Sequence, residues 1–414
     1  MFLVGAELPG TDHDALREQL DELTELARTA GGEVVGTEIQ RRDTPDPALY
    51  FGKGKVAEWK ALRGDLRYDV VVSNDDLSPR QQRNLEKELD AGVLDRTELI
   101  LDIFAQHART REGRIQVEVA QLRHMLPRLV GGRDLSRLGG GIGTRGPGEQ
   151  KLEIDRRRIR TRLRDLEREL AQVRKQRALH RARRARSPQR TVALVGYTNA
   201  GKSSLLNTLT RGGVVAEDKL FATLDPTTRA LQLAQGASCL LSDTVGFIQK
   251  LPTELVAAFR ATLEEVVEAD VLVHVLDLAH PAAAQQLVTV HAVLDDLEAF
   301  AKPAILAANK ADLLPPGEVE SRLRGLDTGA YLEVVSVSAL RGDGLDELRQ
   351  AIASVLAESL RPVDVVLPYS AQDLLAALHR DGVVQSERFE ADGVHVRGSA
   401  PPALAARLAA AAGH

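Results

Sequence analysis

The first part of the chain alternates short apolar runs with longer segments of helical periodicity. Apolar and β-branched residues dominate "FLVGAEL", "EVVGTEIQ" and "DVVVSND", whereas "DALREQLDELTELARTAGG" and "SPRQQRNLEKELD" repeat apolar positions every three or four residues. Short β-branched runs are typical of strands, and the longer repeat is typical of helices. The pattern therefore predicts a small α/β domain over residues 1–110.

Two apolar stripes with coiled-coil spacing follow within residues 111–189. The first contains Ile115, Val119, Leu122, Leu126 and Leu129, and the second contains Leu152, Ile159, Leu163, Leu166, Leu170 and Val173. Such a repeat places its residues on one helix face, so each stripe can cover the other. The intervening "GGGIGTRGPGEQ" is too rich in glycine to start a helix and must reverse the chain. We therefore predict an antiparallel helical hairpin with a glycine-rich tip.

Five further apolar runs occur in residues 190–361, each separated from the next by a helical segment. They are "TVALVG", "CLLSD", "VLVHVLDL", "AILAANKAD" and "VVSVSA". This alternation predicts a doubly wound sheet. Residues 362–414 read as another small α/β domain that ends in an alanine-rich helix. The predicted fold class is thus α/β, with the hairpin between two of its α/β domains.

Composition places the chain among ordinary globular proteins. Of its 414 residues, 43% are hydrophobic and 27% are charged, and no run of 18 apolar residues occurs. The first residues contain neither a basic segment nor a cleavage site, so we expect a cytoplasmic protein without a membrane span. The single cysteine, Cys239, lies in an apolar run and is expected to be a buried small hydrophobe.

Charge is unevenly distributed. Between Lys151 and Arg190 there are 16 lysines and arginines against 5 acidic residues, although the whole chain has a net charge of −5. This asymmetry indicates a polyanionic partner, and a solvated helix face is the alternative. Because only 3% of the residues are aromatic, phosphate contacts are favoured over base stacking as the mode of binding.

The stretch "GYTNAGKSS", residues 196–204, has the spacing of a phosphate-binding loop between a strand and a helix. Its backbone N–H groups can surround a β-phosphate, and Lys202 can neutralise β- and γ-phosphate oxygens. The hydroxyl of Ser203 is the expected ligand of Mg²⁺. This motif predicts a nucleotide site.

Base recognition is predicted at "NKAD", residues 309–312, after the strand "PAILAA". The carboxylate of Asp312 can accept hydrogen bonds from N1–H and the exocyclic amine of guanine, a pair that adenine does not present. Asn309 is expected to brace the loop, and the stem of Lys310 to cover the base. The backbone N–H groups of Val337–Ala339 are expected to meet the guanine oxygen.

Two features leave the hydrolytic chemistry open. Asp243 in "DTVGF" is expected to point towards the magnesium-bound phosphate, but Phe247 occupies the position where a glutamine would orient the attacking water. In "FATLDPTTR", residues 221–229, a threonine must reach Mg²⁺ and the γ-phosphate. Thr223, Thr227 and Thr228 all qualify by chemistry.

These motifs together resemble the HflX family of translational GTPases. The resemblance rests on "GYTNAGKS", "FATLDPTTR", "DTVGF" and "NKAD", preceded by "GGGIGTRGPGE", and spans roughly residues 45–360. It implies that Thr223 is the switch threonine on Mg²⁺. It further implies a GTPase that binds the large ribosomal subunit near the peptidyl-transferase centre and splits stalled or idle ribosomes, slow alone and stimulated by the ribosome.

The complete predicted nucleotide site comes from four stretches of the chain. Its residues are Gly196, Tyr197, Thr198, Asn199, Ala200, Gly201, Lys202, Ser203, Ser204, Phe221, Ala222, Thr223, Leu224, Asp225, Asp243, Thr244, Val245, Gly246, Asn309, Lys310, Asp312, Val337, Ser338 and Ala339. Catalytic roles are assigned to Lys202, Thr223 and Gly246. Asn199 is a candidate K⁺ ligand that would replace an arginine finger, and the alternative is that it only stabilises its own loop.

Contacts with ribosomal RNA are predicted on the hairpin, because glycine permits close backbone approach and arginine matches phosphate oxygens. The candidates are Gly141, Gly143, Arg145 and Gly146 at the tip, and Arg156, Arg160 and Arg164 on the second helix. We expect a monomer whose other partners are GTP and GDP. Two alternative functions are a GTP-switched partner of an RNA-modifying enzyme and an ATP-dependent rRNA remodeller. The "GKGK" turn at residues 52–55 is the support for the second.

Overall fold

The computed structural model describes residues 1–129, 147–184, 190–210, 220–221, 227–233, 238–249, 263, 265–358, 361–400 and 402–412. They belong to two compact units. The first unit contains residues 1–173 together with Leu220, Phe221 and Gln249. The second contains the remaining described residues.

The first unit has a parallel four-stranded sheet in the order β2-β1-β3-β4. Its strands are β1 Phe2–Glu7, β2 Gly36–Arg41, β3 Val70–Ser73 and β4 Gly92–Asp95, and the intervening helices are α1 His13–Thr29, α2 Lys53–Leu66 and α3 Pro79–Leu89. The sequence pattern predicted the first three strands and missed β4. Only four residues long, β4 is recognisable as a strand through its parallel pairing with β3.

The helix α4, Arg96–His107, begins with a capping box. The Asp95 carboxylate accepts a hydrogen bond from the Glu98 N–H, and the Glu98 carboxylate accepts one from the Asp95 N–H. This reciprocal pairing satisfies backbone donors that have no partner inside the helix. Three apolar side chains of α4, Ile100, Ile103 and Phe104, are 0% exposed, so this helix face lies within the core of the unit.

The predicted hairpin is present as α5, Arg111–Arg128, and α6, Pro147–Arg184. Members of both apolar stripes form one cluster: Ile115, Val119, Leu122, Leu126, Ile159, Leu163, Leu166 and Leu170. The prediction that the two stripes cover each other is therefore confirmed. Three ion pairs also join the helices, Arg111 with Glu169, Arg123 with Glu167 and Arg162 with Glu118. The predicted glycine-rich tip lies outside the described residues.

The second unit contains a six-stranded sheet in the order β10-β9-β8-β5-β7-β6. The strands are β5 Thr191–Val195, β6 Thr227–Gln232, β7 Ser238–Asp243, β8 Val271–Asp277, β9 Ala304–Asn309 and β10 Glu333–Ser336. The helices are α7 Lys202–Thr210, Ala283–Asp296, Glu318–Arg324 and Leu345–Glu358. All pairings are parallel except that of β6 with β7. The sequence pattern missed β6. This strand lies at the edge of the sheet, and it is recognisable as a strand through its antiparallel pairing with β7.

Residues 361–412 form a second, smaller sheet in the same unit. Its antiparallel strands are β11 Arg361–Leu367, β12 Val383–Glu390 and β13 Gly393–Ala400, in the order β11-β13-β12. The helices Gln372–Asp381 and Pro402–Ala412 contribute Leu374, Leu378, Leu404 and Leu408 to its core. The predicted small α/β arrangement is present.

The structure also bears on the burial of the single cysteine and on membrane-spanning helices. Cys239 is 0% exposed, as expected for a small hydrophobe. Among the described helices, none combines the length with the apolar composition needed to cross a membrane.

Candidate nucleotide-binding site

The loop between β5 and α7 requires glycine at two positions. Gly196 has φ +150, and a Cβ there would lie 2.2 Å from the carbonyl oxygen of Val275. Gly201 has φ +95, and a Cβ there would lie 2.2 Å from Nδ2 of Asn309. Both positions combine a backbone conformation that favours glycine with close approach of another chain segment. The loop conformation is therefore determined by its neighbours as well as by its own sequence.

Lys202 begins α7 and is 6% exposed. Its ammonium group donates hydrogen bonds to the carbonyl oxygens of Tyr197, at 2.8 Å, and Gly196, at 3.1 Å. Burial lowers the pKa of Lys202 to about 8, and the nearby Asp243 opposes this shift. A phosphate placed in the loop would favour the charged form, because an opposite charge raises the pKa of an amine.

Ser203 in α7 contacts Asp243 at the end of β7. The Ser203 hydroxyl donates a 2.6 Å hydrogen bond to the Asp243 carboxylate, which is 1% exposed at the end of β7. Ser203 lies in the first turn of α7, and Asp243 is the register partner of Leu194 near the end of β5, so both residues lie at the carboxyl ends of these strands. A hydroxyl and a carboxylate oxygen are the donors that Mg²⁺ prefers, so this pair fits a magnesium ion.

The "DTVGF" segment packs directly on the phosphate-binding loop. The Phe247 carbonyl oxygen accepts a hydrogen bond from the Thr198 N–H at 2.7 Å, and its N–H donates to the Gly196 carbonyl oxygen at 3.1 Å. A Cβ at Gly246 would lie 2.6 Å from Cα of Thr198 and 3.1 Å from Nζ of Lys202. Glycine is thus required at position 246. Phe247 is 2% exposed, so its side chain packs in the interior.

Asn309 connects the base-recognition loop to the phosphate-binding loop. Its Nδ2 donates to the Ala200 carbonyl oxygen at 2.8 Å, and its Oδ1 accepts from the Ala339 N–H at 3.0 Å. The predicted bracing role matches this geometry. The N–H groups of Val337 and Ser338 also donate inside the protein, to the carbonyl oxygens of Ala308 and Asp343.

These bonds concern the expectation for the guanine oxygen, which stays a prediction. Val337, Ser338 and Ala339 were expected to offer N–H groups to it, yet all three groups already have partners. The strand-end position alone does not reveal these acceptors, which Ala308, Asp343 and Asn309 supply.

Asp312 lies in the short 3₁₀ turn after β9 and its side chain is 6% exposed. The guanidinium of Arg341 lies 3.6 Å from its carboxylate, and Arg341 is itself 63% exposed. Sequence reasoning did not select Arg341, although it follows "VSAL" closely. The neighbouring Lys310 forms a 2.7 Å ion pair with Asp277, which fixes the end of its aliphatic stem.

The remaining predicted residues divide into three groups. Tyr197, Thr198, Ala200, Thr244 and Val245 are buried, Ser204 is half-buried and Asn199 is exposed with φ +59. Phe221 is buried and belongs to the first unit. Ala222, Thr223, Leu224 and Asp225 lie outside the described residues, as do Gly141, Gly143, Arg145 and Gly146.

The other two candidate switch threonines lie in β6. The Thr228 hydroxyl is 2.8 Å from that of Ser242, and Thr227 is the register partner of Asp243. Thr228 is therefore engaged in a cross-strand side-chain contact. Sequence spacing alone had left the choice among the three threonines open.

On α6, the predicted RNA-binding arginines are not equivalent. Arg160 and Arg164 are exposed, whereas the side chain of Arg156 is 27% exposed and lies 3.9 Å from the Glu153 carboxylate. Arg157 is exposed and lies three and seven residues before the exposed pair. Residues with this spacing share one helix face, so Arg157, Arg160 and Arg164 form an exposed outward set, and a role of Arg156 in RNA binding stays a prediction.

Comparison with known proteins gives matches along most of the chain. Three protein-family models match: "GTP-binding GTPase N-terminal" over residues 17–105, "GTP-binding GTPase Middle Region" over 107–184 and "50S ribosome-binding GTPase" over 191–310. A protein named GTPase HflX from Caldanaerobacter subterraneus subsp. tengcongensis is 47% identical over 392 residues, covering 94% of this chain and 89% of that protein.

Two further matches span most of the chain. A GTPase HflX from Escherichia coli strain K12 is 42% identical over 377 residues, covering 91% of this chain and 88% of that protein. The solved "crystal structure of SsGBP and GDP complex" aligns with a TM-score of 0.49 at 25% identity, covering 86% of this chain and 98% of that one.

Proposed function

Because this chain belongs to the HflX family of GTPases, we propose that it binds the large ribosomal subunit and couples its GTP cycle to ribosome splitting. The family description "50S ribosome-binding GTPase" for residues 191–310 supports the ribosomal partner. Related proteins carry only the name GTPase HflX, so the splitting step is our own inference.

The outward arginines of α6 are the observation that carries this proposal. Arg157, Arg160 and Arg164 are exposed on one helix face. Within the part of the chain that the structure describes, no carboxylate forms an ion pair with any of the three. By contrast, Arg111, Arg123 and Arg162 are used in pairs between α5 and α6. Unpaired arginines aligned along a helix suit the regularly spaced phosphates of RNA.

In GTP hydrolysis, the protein contributes positioning and electrostatic stabilisation. The phosphate-binding loop orients the triphosphate, and Lys202 neutralises charge on its oxygens. Mg²⁺ would supply further charge neutralisation at the phosphates, and we assign Ser203 and Thr223 as its ligands with Asp243 adjacent. The Phe247 side chain is buried and has no group that could bind water, so we propose that backbone groups orient the attacking water. We therefore propose slow turnover alone and faster turnover on the ribosome.

Guanine selectivity rests on Asp312. Its side chain is 6% exposed, so a base that leaves this carboxylate unpaired loses affinity. We further propose that the protein acts as a monomer in the cytoplasm, where its ribosomal partner is found.

A sucrose-gradient experiment with intact ribosomes tests the proposal. The full chain with GTP, or with a non-hydrolysable GTP analogue, should convert the peak of joined ribosomes into separated subunits, and GDP should not. Gln substitution of Arg157, Arg160 and Arg164 should weaken this conversion while GTP binding is retained. Joined ribosomes that persist while the protein co-sediments with them would contradict splitting and favour a partner role in RNA modification.

A further inference from the structure

Arg341 lies on a turn whose backbone is held by hydrogen bonds. Its N–H donates to the Ser338 hydroxyl at 3.0 Å, and the Gly342 N–H donates to the Ser338 carbonyl oxygen at 2.8 Å. Gly344 has φ +72, and a Cβ there would lie 2.1 Å from the carbonyl oxygen of Ser336, so the turn packs closely against the end of β10. The backbone of Arg341 is thus fixed, whereas its side chain is 63% exposed to solvent.

The guanidinium of Arg341 lies beside the carboxylate that we assign to guanine. Its Nε is 3.6 Å from Oδ2 of Asp312, whose side chain is 6% exposed. This distance is longer than a hydrogen bond, so the contact is an ion pair that does not occupy the lone pairs of the carboxylate with good geometry. Among the residues that the structure describes, Arg341 is the only cation paired with Asp312. Lys310, two residues earlier, is paired with Asp277 instead.

Arg341 and a base must reach Asp312 from the same side. Because the Asp312 side chain is 6% exposed, little of its carboxylate is open to solvent, and the remainder is enclosed by protein. A side chain as exposed as that of Arg341 approaches this open part from the solvent. A guanine base has to approach through the same opening, since its N1–H and exocyclic amine bind both carboxylate oxygens. The ion pair must therefore be displaced when guanine binds.

From this geometry we propose that Arg341 competes with guanine for Asp312 and thereby determines how tightly the nucleotide binds. Binding of guanine costs the ion pair, so the affinity is lower than the carboxylate alone would give. Exposed ion pairs are weak, which limits the effect to a factor of about two to five in affinity. The competition favours release of GDP, because Arg341 takes the place of the departing base at the carboxylate. This proposal rests on the proposed recognition of guanine by Asp312.

Arg341→Gln tests the proposal in the full chain without ribosomes. The Kd for GDP, measured by isothermal titration, should fall about two- to fivefold, because guanine no longer displaces an ion pair. Arg324→Gln is the matched control. Arg324 is exposed in the same unit and its Nε donates to the carbonyl oxygen of Glu320, so this variant removes the same charge without touching the pair. The control should leave the Kd unchanged.

The opposite results would overturn the proposal. They are an unchanged or raised Kd for GDP in Arg341→Gln, or an equal fall of the Kd in Arg324→Gln. Arg341→Ala also removes the charge and gives the same readout if Arg341→Gln does not fold.

Asp312→Asn separates the competition from guanine recognition itself. The asparagine amide can donate to the 2-oxygen of xanthine, so this variant should bind xanthosine diphosphate in place of GDP. In the same background, adding Arg341→Gln should leave the Kd for xanthosine diphosphate unchanged, because no charge remains for Arg341 to pair with. A gain in this double variant equal to that of Arg341→Gln alone would overturn the competition.

Failure of the two proposals gives different results. Unaltered GDP binding in Asp312→Asn would refute guanine recognition by Asp312. Loss of GDP binding in Asp312→Asn, together with a wild-type Kd in Arg341→Gln, would refute the competition alone.

Discussion

A buried histidine in the second unit makes stability depend on pH. His274 is 0% exposed and its Nδ1 bonds the hydroxyl of Tyr331, which also bonds His291 at 2.7 Å. Burial lowers the pKa of His274 to about 3, and His291 and Lys202 add to the shift. The histidine pKa in the unfolded chain is about 6.5. Between this pH and about 3, the unfolded chain therefore binds a proton that the folded chain does not.

Stability should accordingly fall as pH decreases from 6.5 towards 3. At pH 5 the contribution of His274 is about 2 kcal/mol, from about 1.5 pKa units. In His274→Leu, the difference in free energy of unfolding between pH 7 and pH 5 should shrink by about this amount, measured by urea denaturation. The exposed His280, changed to Leu, is the control. Equal pH dependence in wild type and His274→Leu would refute the assignment.

The presence of asparagine at position 199 has two explanations. Its φ of +59 is tolerated better by asparagine than by most residues, which alone accounts for its presence. Its exposed side chain is also free to serve as a K⁺ ligand near the phosphates, as proposed above. A backbone role and a ligand role predict different results for a glycine variant.

We expect ribosome-stimulated GTP turnover to be faster in K⁺ than in Na⁺, and Asn199→Gly to remove that difference. Glycine accepts the same φ, so the variant removes the side chain without adding strain. Asn199→Ala adds strain as well and serves as the comparison. Equal rates in both salts for the wild type would refute the K⁺ hypothesis, and retained K⁺ stimulation in Asn199→Gly would assign the residue to the backbone role.

At the scale of elements, the helical hairpin offers two sets of arginines with the same charge and different surroundings. One set, Arg157, Arg160 and Arg164, is outward, and the other, Arg111, Arg123 and Arg162, pairs with glutamates across the hairpin. Exposed ion pairs contribute about 0–1 kcal/mol each, so replacing either set should preserve the hairpin.

The two sets should differ in the salt dependence of ribosome binding. Replacing the outward set by Gln should reduce the slope of log affinity against log salt by about three, because each arginine bound to a phosphate adds about one to the slope. The paired set, replaced in the same way, should change the slope little. Binding to the large subunit, measured between about 50 and 200 mM salt, would distinguish the two triple variants. Such slopes are resolved over this range. Similar slopes for both triple variants would show that net charge alone matters.

At the scale of the whole molecule, the two alternative functions, a GTPase and an ATP-dependent remodeller, differ in the number of nucleotide sites that they require. In the first unit, Gly52 is the N-cap residue of α2, and Lys55 is paired with Glu38 at 2.9 Å and Glu58 at 3.2 Å. This ammonium group is thus engaged by carboxylates, and the "GKGK" stretch forms the N-cap and first turn of α2. Among the residues that the structure describes, we therefore expect the nucleotide site at Lys202 and none at the "GKGK" stretch.

In the full chain, Lys202→Ala should abolish binding of GTP, and neither wild type nor variant should bind ATP. Lys55→Ala is the matched control and should bind GTP as the wild type does. Isothermal titration with both nucleotides measures these outcomes. ATP binding that survives Lys202→Ala and disappears in Lys55→Ala would establish a second site in the first unit.

Local patterns account for many elements and contacts of this fold. The heptad spacing of Ile115, Val119, Leu163, Leu166 and Leu170 was enough to predict which helix faces meet, because a periodic apolar face requires a partner. The strands β4 and β6 were missed, since short or edge strands are stabilised by pairing more than by their own residues. The same reasoning did not select Arg157, because its exposure is visible only in the folded hairpin.

By itself the sequence determined the loop between β5 and α7 and the pairing of the hairpin helices, and it led to the proposals for Ser203 and Asp312, because each depends on residues close together in the chain. Only the tertiary structure brought Asn309 to Ala200 and Ala339, placed Arg341 beside Asp312, and packed Phe221 on Phe104. These contacts join residues separated by tens to more than a hundred positions. No local pattern encodes such pairs, since they form when packed elements bring distant side chains within contact distance.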